Sequence, residues 1–269
     1  MDSQSPGVGA TRRPLYTHRG NTRGAHSSKT KEFYHVPIRA LTFDLDDTLW
    51  AVEPVLQEAE LRLHRWLTSN FPTVSRRYDA QAFRELRQDI ARTRPELSHN
   101  VTALRKESLR VAALRCGCEE TLVEPAFDVF LTARNEVEFY ADTLPVLRRI
   151  STRFPIAAVT NGNADIQRVG LGGYFAFSLS APETGSAKPE PQMYHAACTR
   201  LNARPGEVVH VGDDPRSDVA GALAAGMRTV WLNRSTRPRE MERTPNAEIH
   251  TLFELEPVLA RWSDADDDL

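Results

Sequence analysis

The sequence predicts an α/β protein, a Rossmann-like parallel sheet core carrying an inserted all-helical cap domain, on three observations. Short apolar runs of strand length alternate with helical patterns, the signature of a parallel sheet. The first three of those runs each end in polar residues, as strands do where an open sheet binds its ligand. Asp44 and Thr160, at the ends of the first two runs, stand 116 positions apart, whereas a βαβ unit needs only about 30 residues. The surplus must fold as something else.

In order along the chain, residues 1–35 come first. They carry Arg12, Arg13, Arg19, Arg23, Lys29 and Lys31 against Asp2 and Glu32, with much Ser, Thr, Gly and His and no apolar period. Such a segment buries too little surface to offset its ordering entropy and reads as a disordered basic leader. Its Arg- and Ser-rich, acid-poor composition also resembles a transit peptide, but the amphipathic period is missing. The first strand is then Ile38 to Phe43, the second Pro155 to Val159, the third Val208 to Val211 and the fourth Arg228 to Leu232. A helix over Val219 to Ala225, closed by Gly226, connects the last two.

Between the first two strands the period is helical. Val55, Leu56, Ala59, Leu63, Trp66 and Leu67 share one face of a helix over 54–69, and Phe83, Leu86 and Ile90 repeat the spacing. Residues 100–116 and 119–135 also read as helices, with Pro125 starting or kinking the last. Period-2 alternation is absent. The expected organisation is therefore a core domain of 36–53 and 136–262, a helical cap of 54–135 and an acidic tail of 263–269.

Composition bounds the function. The 269 residues are 41% hydrophobic and 26% charged, ordinary globular values. Lys and Arg (34) nearly balance Asp and Glu (36), which argues against a nucleic-acid partner, whose footprint is basic. No apolar run approaches the roughly 18–20 residues of a membrane span. Cys116, Cys118 and Cys198 form no C-x-x-C pair, so neither a disulfide framework nor a zinc site is expected, and a cytoplasmic setting is the simplest reading. A monomer and a homodimer both remain open.

The run Phe43-Asp44-Leu45-Asp46-Asp47-Thr48-Leu49 is the most informative. In extended backbone, Asp44 and Asp46 project to one side, and two adjacent carboxylates are tolerated only with a cation or a shared proton. A strand end followed by a helix cap is the bland alternative. Gly212-Asp213-Asp214-Pro215-Arg216-Ser217-Asp218 supplies a second acidic cluster after another strand. Hard oxygen ligands from two strand ends suit Mg2+, and Gly212 lets the backbone approach closely. Thr160, with Asn161 and Gly162, offers a hydroxyl and backbone N–H groups. Lys188, before Pro189, is a candidate charge for a phosphate oxygen and for the paired acids. Taken singly, each is also an ordinary strand-end or surface residue.

In order, these pieces resemble the haloacid-dehalogenase (HAD) superfamily of phosphohydrolases. Its D-x-D-x-T motif matches Asp44, Asp46 and Thr48, its strand-end Ser/Thr matches Thr160, its Lys matches Lys188, and its acidic motif matches Asp213 with Asp218. The insertion resembles the family's C1-type cap. Within the superfamily, Ala40 to Leu49, Thr160 to Ala164, Gly170-Leu171-Gly172 and His210 to Asp214 resemble bacterial phosphatases acting on flavin mononucleotide (FMN) and on the phosphorylated ribitylamino-uracil precursor of riboflavin.

The resemblance implies a phosphatase for a small phosphorylated metabolite. Asp44 would be nucleophile and Asp46 general acid and base. Mg2+ would be held by Asp44, the Asp46 carbonyl and Asp213, with Thr48, Asp214 and Asp218 in support. Thr160, Asn161 and Lys188 would bind the phosphate. The family's dehalogenase branch lacks the second aspartate, so Asp46 implies phosphoryl chemistry. His99 and Arg105, at the start of a cap helix, are candidates to contact the rest of the substrate. Other phosphate esters, a sugar-phosphate mutase and a non-catalytic binding protein are the alternatives on the same fold.

Overall fold

The computed structural model describes residues 36–236, 238, 241 and 243–267; the basic leader therefore lies outside the described residues. Among the described residues β1 (Ala40–Phe43) comes first, followed by five helices, α1 (Val52–Asn70), α2 (Pro72–Arg77), α3 (Ala80–Thr93), α4 (Val101–Arg115) and α5 (Val123–Arg134). It then alternates: α6 (Thr143–Ile150), β2 (Ile156–Thr160), β3 (Phe177–Ser180), α7 (Ala181–Thr184), α8 (Pro191–Arg200) and β4 (Val208–Gly212). After α9 (Gly221–Ala224) come β5 (Arg228–Leu232), β6 (Ala247–Ile249) and α10 (Leu255–Asp267).

Among the described residues all five strand pairings are parallel, in the order β3-β2-β1-β4-β5-β6. This is a Rossmann-like α/β fold. Alternate residues of the central strands feed opposite faces, as the two-residue period requires. Leu41, Phe43, Val209 and Val211 pack with Val146 and Ile150 of α6 and Leu259 of α10. On the other face, Ala157 and Val159 pack with Met193 and Ala197 of α8, and Ala40 and Val208 with Tyr194 and Cys198 of α8. A fully buried parallel sheet needs such cover on both sides.

Register is what builds the site. Phe43 stands opposite Ala158 on one side and Val211 on the other. One to two residues further on, Asp44, Thr160 and Asp213 therefore emerge together at the carboxyl edge of the three central strands. The helices α1 to α5 pack above this edge around their own cluster, with Leu63, Leu67, Phe83, Leu109, Phe127 and Phe130 at its centre. Their apolar periods explain them. Asp79 and Asn100 cap α3 and α4 by accepting from the backbone N–H of Ala82 and Ala103. Pro125 sits in the first turn of α5, where its missing N–H is harmless.

Three expectations change. β3 and β6 are additional strands. The helix expected over Val219 to Ala225 is a wide helical turn from Pro215 to Ala220, followed by α9. The acidic tail is helical as far as Asp267 because Leu255, Val258, Leu259 and Trp262 keep α10 docked on the core. Among the described residues no helix is long and apolar enough to cross a membrane.

Candidate active site

β1 delivers Asp44 to the sheet edge, where it is buried. Lys188, from the loop before α8, is also buried and donates from Nζ to Asp44 Oδ1 at 2.5 Å and to Asp218 Oδ1 at 2.7 Å. A lone buried ammonium would be costly, so the two carboxylates are what allow it there. Burial alone would lower the Lys188 pKa, but Asp218 and Asp44 overcome that and raise it. Burial likewise opposes charge on Asp218, yet Lys188 and His210 hold its carboxyl well below the usual range. For Asp44, burial wins. Aided by Asp218 and Asp46, it lifts this carboxyl well above its ordinary value against the pull of Lys188.

Beneath this trio lies His210 of β4, fully buried. Its Nε2 is 3.1 Å from Asp218 Oδ1 and its Nδ1 is 2.8 Å from Thr42 Oγ1. An ionised carboxylate only accepts, so the ring proton sits on Nε2 and Nδ1 accepts from the Thr42 hydroxyl. Burial lowers the His210 pKa, consistent with this neutral form. Asp218 Oδ2 accepts from the Asp214 N–H at 2.9 Å. Gly212 makes this approach possible, since a Cβ there would overlap the Asp218 carboxyl. Asp214 itself points away and caps the helical turn, its Oδ1 accepting from Arg216 N and from Ser217 N and Oγ.

Asp213 is half-buried, with Thr48 Oγ1 donating to its Oδ1 at 3.3 Å and Trp231 Nε1 donating to its carbonyl at 2.8 Å. Asp44, Asp213 and Asp218 bring one carboxylate oxygen each to within 4.8 Å of one another. These hard, negatively charged donors fit a divalent cation such as Mg2+. Asp218 is engaged by Lys188, His210 and Asp214, whereas Asp44 is engaged by Lys188, so Asp44 and Asp213 could hold such an ion while Asp218 braces Lys188.

Asp46 is held from above. Arg134, at the last turn of α5, places Nη2 2.7 and 2.6 Å from the two Asp46 oxygens, and Trp50 Nε1 donates to Oδ1 at 3.0 Å. The chain turns back at Asp47, whose φ is 56° and whose Oδ1 accepts from Val52 N at the start of α1. Thr160 Oγ1 accepts from Gly162 N at 3.0 Å.

Not every candidate stands where expected. The Asn161 side chain is spent on Lys188, donating to its carbonyl at 2.9 Å and accepting from its N–H at 2.8 Å. It braces the lysine loop instead of facing a phosphate. Arg105 lines a cavity above Asp46 but is committed to the wall: Nη1 donates to Glu60 Oε1 at 2.8 Å and the guanidinium lies 3.5 Å from the Phe130 ring centroid. His99 is half-buried in the turn before α4 and is not among the residues lining that cavity. Arg134, Trp50 and His210 are site residues the sequence reading missed. The available signal was Arg134 falling in register with Phe127 and Phe130, a charge on an apolar helix face.

Residues 38–226 match the haloacid dehalogenase-like hydrolase family. The chain belongs to that family. It is 37% identical over 199 residues to the 5-amino-6-(5-phospho-D-ribitylamino)uracil phosphatase YigB of Escherichia coli, covering 72% of this chain and 83% of that one. It is 31% identical over 157 residues to a phosphoserine phosphatase of Thermus thermophilus, covering 56% and 63%. Among solved structures, a 2-haloacid dehalogenase from Pseudomonas syringae superposes with a TM-score of 0.80 at 38% identity, over 84% of this chain and 99% of that one. With its phosphatase relatives and a complete D-x-D-x-T run, the chain is a HAD-type phosphoric monoester hydrolase.

Proposed function

We propose that this hydrolase uses Mg2+ and an aspartyl-phosphate intermediate to dephosphorylate FMN or the phosphorylated ribitylamino-uracil precursor of riboflavin, with residues 54–135 as its cap. The observation that carries the chemistry is Asp46, two residues after Asp44 and held in place by Arg134 and Trp50. The substrate rests on the likeness to the E. coli ribitylamino-uracil phosphatase. Three free thiols fit a reducing, cytoplasmic setting.

Asp44 attacks phosphorus in line, a form of carboxylate nucleophilic catalysis. As the P–O ester bond breaks, the leaving alkoxide takes a proton from Asp46. Asp46 then accepts a proton from the water that attacks the aspartyl-phosphate, which releases inorganic phosphate and restores Asp44. Lys188 and Thr160 donate to the equatorial oxygens, where charge resides in a loose transition state. Asp44, the Asp46 carbonyl and Asp213 would hold Mg2+, which when bound offsets the charge between nucleophile and phosphate. Asp218 and His210 hold Lys188 in register, and Asn161 fixes its backbone.

The test is phosphate release from a panel of phosphorylated metabolites, with and without Mg2+. FMN or the ribitylamino-uracil phosphate should give the highest kcat/KM. A sugar phosphate or phosphoserine at the top of the panel refutes the substrate assignment and leaves the chemistry intact.

A further inference from the structure

Between the helices and Asp46 lies a cavity of about 370 Å3. Its walls are largely apolar, with Leu56, Val101, Leu104 and Phe130 among them, yet Arg84, Arg87, Arg105 and Arg134 also line it. Arg105 is within electrostatic range of both Arg87 and Arg134, and its own group is fixed on Glu60 and Phe130. Those two differ. Arg87 spends Nη2 on Glu60 Oε1 at 3.0 Å, and Arg134 spends Nη2 on Asp46. Among the described residues, Nη1 of each is buried without an acceptor. The Arg134 side chain is only 1% exposed. A buried cationic donor left unmet is costly, and both residues line the cavity that Asp46 also lines.

Building on the flavin-pathway reading above, we propose that Arg87 is the residue that reads the substrate's ring, donating from Nη1 to a ring carbonyl oxygen. Arg134, held against Asp46, meets the hydroxyl-bearing chain next to the ester. The chemistry favours a ring over a second phosphate. Arg87 and Arg134 each offer one fixed donor instead of a fork, and much of the remaining wall is apolar, with Arg84, Gln88 and Asn163 as further polar points, which suits a flat heterocycle with a few acceptors. Glu60 makes this possible by orienting Arg87 without using its second nitrogen.

The test compares wild type, Arg87→Lys and Arg87→Met on FMN, the ribitylamino-uracil phosphate and ribitol 5-phosphate, which has the same chain without the ring. Lysine keeps a charge for Glu60 but cannot present a second rigid donor, so it separates wall packing from recognition. Both variants should lower kcat/KM for the ring-bearing esters by about 10- to 100-fold and leave ribitol 5-phosphate within about twofold of wild type. For Arg87→Lys, the circular dichroism spectrum and Tm should match wild type. An equal loss on ribitol 5-phosphate, or an undiminished preference for the ring in Arg87→Lys, overturns the inference while the substrate reading stands. If wild type itself treats ringed and ringless esters alike, the substrate reading fails and the inference with it.

Discussion

On the proposed mechanism, replacing Gly162 by alanine adds one methyl group beside Asp46 and should disable proton transfer selectively. The backbone tolerates it, because the φ of Gly162 is not in the left-handed region. Space does not. A Cβ there would stand 2.6 Å from Asp46 Oδ2, 3.2 Å from Arg134 Nη2 and 3.3 Å from Thr160 Oγ1, where ordinary contact begins at 3.4 Å. The Asp46 oxygen must therefore retreat by about 0.8 Å, and misplacement of a catalytic group by 1 Å costs roughly 100-fold. That corresponds to about 2.7 kcal/mol of lost transition-state stabilisation.

The loss should depend on the leaving group. An alkoxide needs the Asp46 proton, whereas p-nitrophenolate departs as a stable anion. Because kcat/KM reports the steps up to phosphoryl transfer, Gly162→Ala should lower it about 100-fold for FMN and far less for p-nitrophenyl phosphate. The kcat for both should fall, since hydrolysis of the aspartyl-phosphate also draws on Asp46. An FMN kcat/KM within threefold of wild type, with a normal Tm, would refute the placement of Asp46 as the proton donor.

Asp44→Asn should abolish turnover, because an amide is a poor nucleophile and a neutral ligand. Its folded-state pKa is raised, so stability contributed by this group falls as pH rises through that value; the amide escapes this, and Tm at pH 8 in EDTA should rise. Chelation should remove activity, Mg2+ should restore it, and Ca2+ should bind without restoring it, because its longer bonds of about 2.3–2.6 Å misplace the ligands; full activity in excess EDTA refutes the metal requirement. Arg105→Ala should act on stability before specificity. It removes a buried partner of Glu60 and the layer over Phe130, at a cost of about 2–4 kcal/mol by thermal unfolding, with Arg87 retaining one contact to Glu60.

What was legible in the sequence is what local pattern encodes. β1, β2, β4 and β5 are largely apolar runs buried over their whole length, and a run of that kind states its own identity. β3 has only four residues, alternately buried and half-buried, and β6 only three; neither carries enough period to be separated from a loop. The motif acids were legible because strand ends in parallel register must meet. Arg134 was not, because its contact with Asp46 depends on how α5 docks over the sheet edge, 88 positions away; Trp50 is only four positions from Asp46, but its indole meets that carboxylate through the backward turn at Asp47, whose positive φ no residue pattern announces. His210 reads as just another member of the apolar β4 until Thr42 and Asp218 are placed on either side of it. The same limit explains Arg105, whose helix start suggested exposure while Glu60 and Phe130 draw it into the wall.

The resemblance to a solved 2-haloacid dehalogenase, at 38% identity, does not pull this chain toward carbon–halogen chemistry. A halide leaves as a stable anion and asks for no proton, so a dehalogenase needs the nucleophile but has no task for a second carboxylate beside it. An alkoxide is a poor leaving group, and the enzyme that expels one must keep an acid within reach of the ester oxygen. Here that second carboxylate is present, bound at both oxygens by a side chain of the covering helices and steadied by an indole. Two carboxylates crowded at one strand end repel each other, a cost that a fold without use for the second would not carry. The shared sheet and helices explain the superposition; on the proposed mechanism, Asp46 and the arginine bound to it suit this chain to expelling an alkoxide.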